Sequence, residues 1–171
     1  HNMAGHDLPV MPDPVSLFNH HLAGVLVILL GVFAFVEQTP LATRFRWVRY
    51  LWPLPLIALG VFLLVWSDNP QFWPFDLSRW ARHWVAWQHK IFASVAVLLG
   101  SIELFRRTGH LKHRAWPQVF NLLMLGAGIY LFFHKGHHAH VVHVEHFWMA
   151  AVAVTLSVAK IVADARKEPG W

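Results

Sequence analysis

The chain contains no cysteine. Disulfides, CxxC redox pairs and thiolate metal sites are therefore excluded, and imidazole, carboxylate, thioether and amine groups remain as ligands. Charge is also scarce: 13% of the residues are Asp, Glu, Lys or Arg, against roughly 25% in an average soluble domain. Acidic residues are the scarcest, nine in all. None repeats the Glu-x-x-His pattern of a di-iron bundle. The chain has no H-E-x-x-H, G-x-S-x-G or phosphate-binding glycine loop, so a hydrolytic mechanism has no support. It also has no basic face with interleaved base-stacking aromatics, which sets nucleic acid aside as a partner.

What fills the chain instead is apolar: 56% of its 171 residues, with 15% aromatic. Four segments are nearly free of charge and long enough to cross about 30 Å of hydrocarbon, and the fifth, after His146, is expected to be slightly shorter. They run from about Val15 to Glu37, Tyr50 to Ser67, Trp84 to Arg106, Pro117 to His134 and His143 to Val162. Ser16 is the expected N-cap of the first, and Pro53 and Pro55 fall in the first turn of the second, where a missing N–H costs little. The expected fold is an all-α integral membrane bundle of five transmembrane helices over residues 15–166, with tails at 1–14 and 167–171. The absence of an initiator methionine and of a charged leader is read as a signal peptide already removed.

Basic residues set the orientation. Arg44, Arg46 and Arg49 lie in one loop, Arg106, Arg107, Lys112 and Arg114 in another, and Lys160, Arg166 and Lys167 near the C-terminal end, ten of the fourteen Lys and Arg. Only Arg79, Arg82, Lys90 and Lys135 fall toward the other side. The bias places the N-terminus outside and the C-terminus in the cytoplasm. The net charge of +5 and the pI near 10.1 are then signals of topology, with anionic headgroups of membrane lipids as partners. Trp47, Trp52, Trp116 and Trp171 mark the inner interface, and Trp66, Trp73, Trp80, Trp84, Trp87 and Trp148 the outer one. The loop Q-F-W-P-F-D-L-S-R-W is expected to lie on the membrane as an amphipathic helix. Glu37 and Glu103 are expected at the inner interface. Gly24, Gly31, Gly60, Gly100, Ser101, Gly126 and Gly128 read as helix-packing contacts.

The histidines are lopsided. With that topology His1, His6, His20, His21, His83, His89, His134, His137, His138, His140, His143 and His146 lie toward the outer leaflet, and only His110 and His113 face inward. Polar groups at membrane depth are costly and usually face the bundle interior. Two clusters separate: a helix layer of His20, His21, His89 and His134, with Asn19 and Gln88 as orienting partners, and a run of His137, His138, His140, His143, Glu145 and His146. The N-terminal amine with His1, and Met3, His6 and Met11, forms a third set. Imidazole and carboxylate suit copper(II), zinc or nickel. The competing view is that each interfacial histidine simply bonds a carbonyl or a headgroup. His89, fixed by a span, is the expected anchor of a specific site, whereas the loop histidines can replace one another.

F-N-H-H-L-A-G-V and W-Q-H-K-I-F-A resemble the histidine-bearing helix starts of the bacterial copper-resistance membrane proteins of the CopD type. That resemblance implies copper binding at the periplasmic face, with a periplasmic metal carrier or other membrane subunits as partners. Two alternatives stand beside it. A b-type cytochrome would use His21 with His89, or His89 with His134, as axial ligands of haem. An accessory subunit of a larger membrane complex would use its tryptophan belt as a contact surface.

Overall fold

The computed structural model describes residues 14–66, 84–133 and 140–167. Among them every regular element is helical: α1 (Pro14–Glu37), the single turn α2 (Leu41–Arg44), a 3₁₀ segment (Arg46–Tyr50), α3 (Pro53–Val65), α4 (Trp84–Arg107), α5 (Trp116–Phe132) and α6 (His140–Lys167). Leu17–Glu37, Arg46–Val65, Ala86–Arg107 and His143–Arg166 are long and apolar enough to cross a membrane, and Trp116–Phe132 is a shorter apolar helix. At 1.5 Å per residue, the 17 residues of α5 reach about 25 Å, just under the hydrocarbon thickness. The all-helical membrane architecture is present, with four of the five expected spans at full length; the short one is Trp116–Phe132, whereas the segment after His146, expected to be short, is full length.

Local chemistry explains the ends. α1 begins at Pro14, where the missing N–H falls on a group with no intrahelical partner, so Ser16 lies within the first turn and is not the N-cap. Pro53 and Pro55 sit in the first turn of α3 and are buried there. α6 is longer than expected at both ends, because no Pro or Gly interrupts the chain between His140 and Lys167. The amphipathic-loop expectation, the N-terminal tail and Trp73, Trp80 and Trp171 lie outside the described residues.

Consecutive long helices run antiparallel, and small residues decide how closely they approach. α3 and α4 form the tightest pair. A Cβ added at Gly60 would meet Val97 Cγ2 at 2.6 Å and Ala93 O at 2.7 Å, and one added at Gly100 would meet Ile57 Cγ1 at 2.6 Å and Pro53 O at 3.0 Å. Ala86, Ala93 and Gly100, seven residues apart, are all buried and form a small-residue stripe on α4. Gly128 does the same for α5 against α6, where an added Cβ would lie 3.0 Å from Val154 Cγ2. Gly24, Gly31 and Gly126 depart from the expectation: nothing lies within 4 Å of an added Cβ at any of them. α1 packs chiefly on α3 and leaves Ile28 66% and Phe35 72% exposed. In a bilayer such faces meet lipid.

Trp47, Trp52 and Trp116 fall at the end where α1 and α4 finish, and Trp66, Trp87 and Trp148 at the opposite end. The two belts expected from the sequence are thus separated by the length of the helices.

Candidate functional site

A carboxylate at the edge of hydrocarbon is costly unless paired. Glu37 closes α1 and Glu103 lies one turn before the end of α4, with Glu103 only 6% exposed. Arg107 answers both. Its Nε donates to Glu103 Oε1 at 2.8 Å, and its Nη1 donates to Glu37 and, at 2.6 Å, to the Arg49 carbonyl. Arg106 donates to the second oxygen of Glu103. The Arg107 guanidinium also stacks over Trp52, 5.1 Å from the ring centroid, and Trp52 meets Phe120 edge-on at 6.0 Å. One guanidinium thereby joins α1, the 3₁₀ segment, the start of α3 and α4, with α5 touching through Trp52. A planar fork with five donors can bond several acceptors at once, which a lysine cannot reproduce.

The loop after α4 is shaped by its glycine. Gly109 has φ +81°, and the His110 N–H reaches Phe105 O at 2.9 Å while Gly109 N–H reaches Arg106 O at 3.1 Å. These two bonds are the Schellman pair that closes a helix C-terminus, with glycine in the left-handed position. Beyond it the His113 ring accepts a bond from Ala115 N–H through Nδ1 at 3.2 Å. The loop walls an open cavity of about 480 Å³ whose polar lining includes Glu103, Arg106, Arg107, Lys112 and Arg114. A second, of about 460 Å³, lies beside Glu37, Arg49, Arg106 and Arg107.

α5 and α6 are tied separately. Asn121 Nδ2 donates to Asp164 Oδ2 at 3.2 Å, and Lys160 Nζ donates to the two Asp164 oxygens at 2.5 and 2.6 Å. Both polar ties lie toward the basic end.

The opposite end carries histidine. His20 on α1 and His146 on α6 face each other with ring centroids 6.3 Å apart, and both are half-buried. His21, His143 and Glu145 are exposed, His89 is half-buried on α4, and His140 opens α6. His1, His6, His134, His137 and His138 lie outside the described residues. Lys90, 4% exposed, donates through Nζ to the Leu63 carbonyl at 2.8 Å. It places a cation on the last turn of α3, where the helix dipole is negative.

Over residues 22–139 the chain matches the LiaF transmembrane domain family. The chain belongs to that family. The match runs from the first turns of α1 to beyond α5 and takes in the whole Arg107 assembly, leaving α6 after it. No curated protein and no solved structure matches the chain. The chain is a multi-pass bacterial membrane protein, and its composition had implied the membrane.

Membership of the LiaF transmembrane family overturns the CopD-type resemblance, which covered the spans in general character only. The copper-collecting function is corrected with it, and neither the b-type cytochrome nor the accessory-subunit alternative gains support. Among the described residues no group of three or more His, Asp or Glu is arranged to hold a metal ion. The physical reason is that shared depth is not a shared point. Metal donors must converge to about 2.0–2.3 Å from one ion, and depth leaves the direction around each helix unspecified. Sequence reasoning put His20 and His146 in separate clusters, whereas their rings face each other. It missed Arg107 as the junction, although Glu103, Arg106 and Arg107 stand at the i, i+3 and i, i+4 spacings that signal such pairs.

Proposed function

We propose that the chain is the membrane-embedded domain of a protein of the LiaF stress-response type, working without chemistry on a substrate. The family match through residues 22–139 carries this reading. Its working parts are two helix groups. One is α1, α3 and α4, held at a common end by Arg107; the other is α5 with α6, held by Asp164 and Gly128. A change in the bilayer or in a neighbouring membrane subunit acts on the relation between the groups, and the basic end passes that relation to the next component of the response.

In this reading α5 is a fifth crossing, short enough to sit in slightly thinned bilayer. The loops with Arg44, Arg46, Arg49, Lys112 and Arg114 face the cytoplasm, as the basic asymmetry requires. The test is to delete the coding sequence in its native bacterium and compare transcripts with and without membrane-perturbing stress. A defined stress-gene set that changes on deletion and recovers on re-expression supports the reading, and an unchanged profile under every stress overturns it.

A further inference from the structure

The cavity beside the Schellman turn has a chemistry that the ion-pair assembly does not use up. Four side chains in its wall are basic, Arg106, Arg107, Lys112 and Arg114, against the single carboxylate of Glu103. That carboxylate already accepts from two guanidiniums. His113 also lines it, and Leu111 and Pro117 supply apolar surface; the space, about 480 Å³, lies within the roughly 300–1,000 Å³ range of small-ligand sites. It also lies at the level where α4 ends and α5 begins at Trp116, the level of headgroups for a membrane helix.

We infer that this cavity binds the phosphate of an anionic phospholipid headgroup, with Lys112 and Arg114 as its principal contacts. The phosphodiester oxygens take the exposed cations, and the glycerol and acyl carbons leave past Leu111 and Pro117 toward the bilayer. A free phosphate offers the same oxygens but has no apolar part for that side of the wall, so the lipid is the fitting source. The site bridges the end of α4 and the start of α5, the join between the two helix groups. A bound headgroup therefore favours one relation of the groups over others to the extent that it binds that relation more tightly. The inference concerns lipid binding and does not require the stress-response role.

The experiment is a calorimetric titration of the full chain in neutral detergent with short-chain phosphatidylglycerol, short-chain phosphatidylcholine and inorganic phosphate. Wild type should bind phosphatidylglycerol at least ten-fold more tightly than the other two. K112Q/R114Q should lose ten-fold or more of that affinity. R44Q/R46Q removes the same charge from the same end but outside the cavity, and should lose less than two-fold. Equal losses in both double variants would mean diffuse surface attraction and overturn the site. Inorganic phosphate binding as tightly as the lipid would overturn the lipid assignment, and so would equal affinity for phosphatidylcholine. Circular dichroism of each variant checks that the helices persist. The transcript experiment has a separate readout, so failure of one does not imply failure of the other.

Discussion

The Arg107 guanidinium donates to Glu37, seventy residues earlier in the chain, and in the same geometry to Glu103 one turn behind it. With the Arg49 carbonyl, α1, α4 and the 3₁₀ segment share one cation at the edge of hydrocarbon. Removing the cation takes away the guanidinium that holds Glu37 and leaves Glu103 with Arg106 alone; removing one carboxylate leaves the other to balance it.

Arg107→Leu should therefore destabilise the bundle by about 2–3 kcal/mol, toward the lower end of broken buried pairs because the groups are partly exposed. Glu37→Gln should cost less. Thermal unfolding of the purified chain in detergent checks both, and a double-mutant cycle between the two positions should return a favourable coupling of about 1 kcal/mol or more. Additive effects would show that the contact contributes nothing beyond its parts.

The glycines divide into two classes that respond oppositely to alanine. Gly60→Ala and Gly100→Ala place a methyl within 3 Å of α4 or α3 and should each cost about 1–3 kcal/mol, as overpacking does. Gly24→Ala and Gly31→Ala meet nothing within 4 Å and should be neutral or stabilising by about 0.5 kcal/mol. The ordering of the four midpoints in one unfolding assay is the check.

Gly109→Ala forces a side chain into a left-handed backbone and should cost about 1–2 kcal/mol. Gly109→Asn should be milder, since asparagine tolerates that region. The distinguishing readout is lipid affinity: distortion of the loop should weaken phosphatidylglycerol binding in the alanine variant more than in the asparagine one.

Because the chain has no cysteine, single-cysteine labelling can read the topology directly. Lys112→Cys should resist an impermeant thiol reagent in intact cells, and Gly136→Cys should react. The reverse pattern would invert the assigned orientation.

Helix identity was legible because spanning lipid leaves long apolar runs in the sequence. The ends of α3 and α4 were legible too, through Pro53, Pro55 and the Arg106–Arg107 pair. Which residues meet was harder to read. Gly24 and Gly60 look alike in sequence, yet only Gly60 is pressed against a neighbour, since the difference lies in the direction each faces. The histidines misled for a related reason: they share depth, and depth alone drew a metal site. Glu103 and Arg107 were visible as a helical pair, but Glu37 joins them only through the tertiary fold.

A stress-response role exercised by a membrane bundle whose helices are joined at Arg107 depends on that junction. The most direct measurement is stress-gene transcription in the deletion strain restored with wild type, Arg107→Leu or Gly31→Ala, each at matched membrane abundance. Wild type and Gly31→Ala should restore the normal profile, and Arg107→Leu should leave it close to the deletion. Full restoration by Arg107→Leu, or no transcript difference between deletion and wild type, would contradict it.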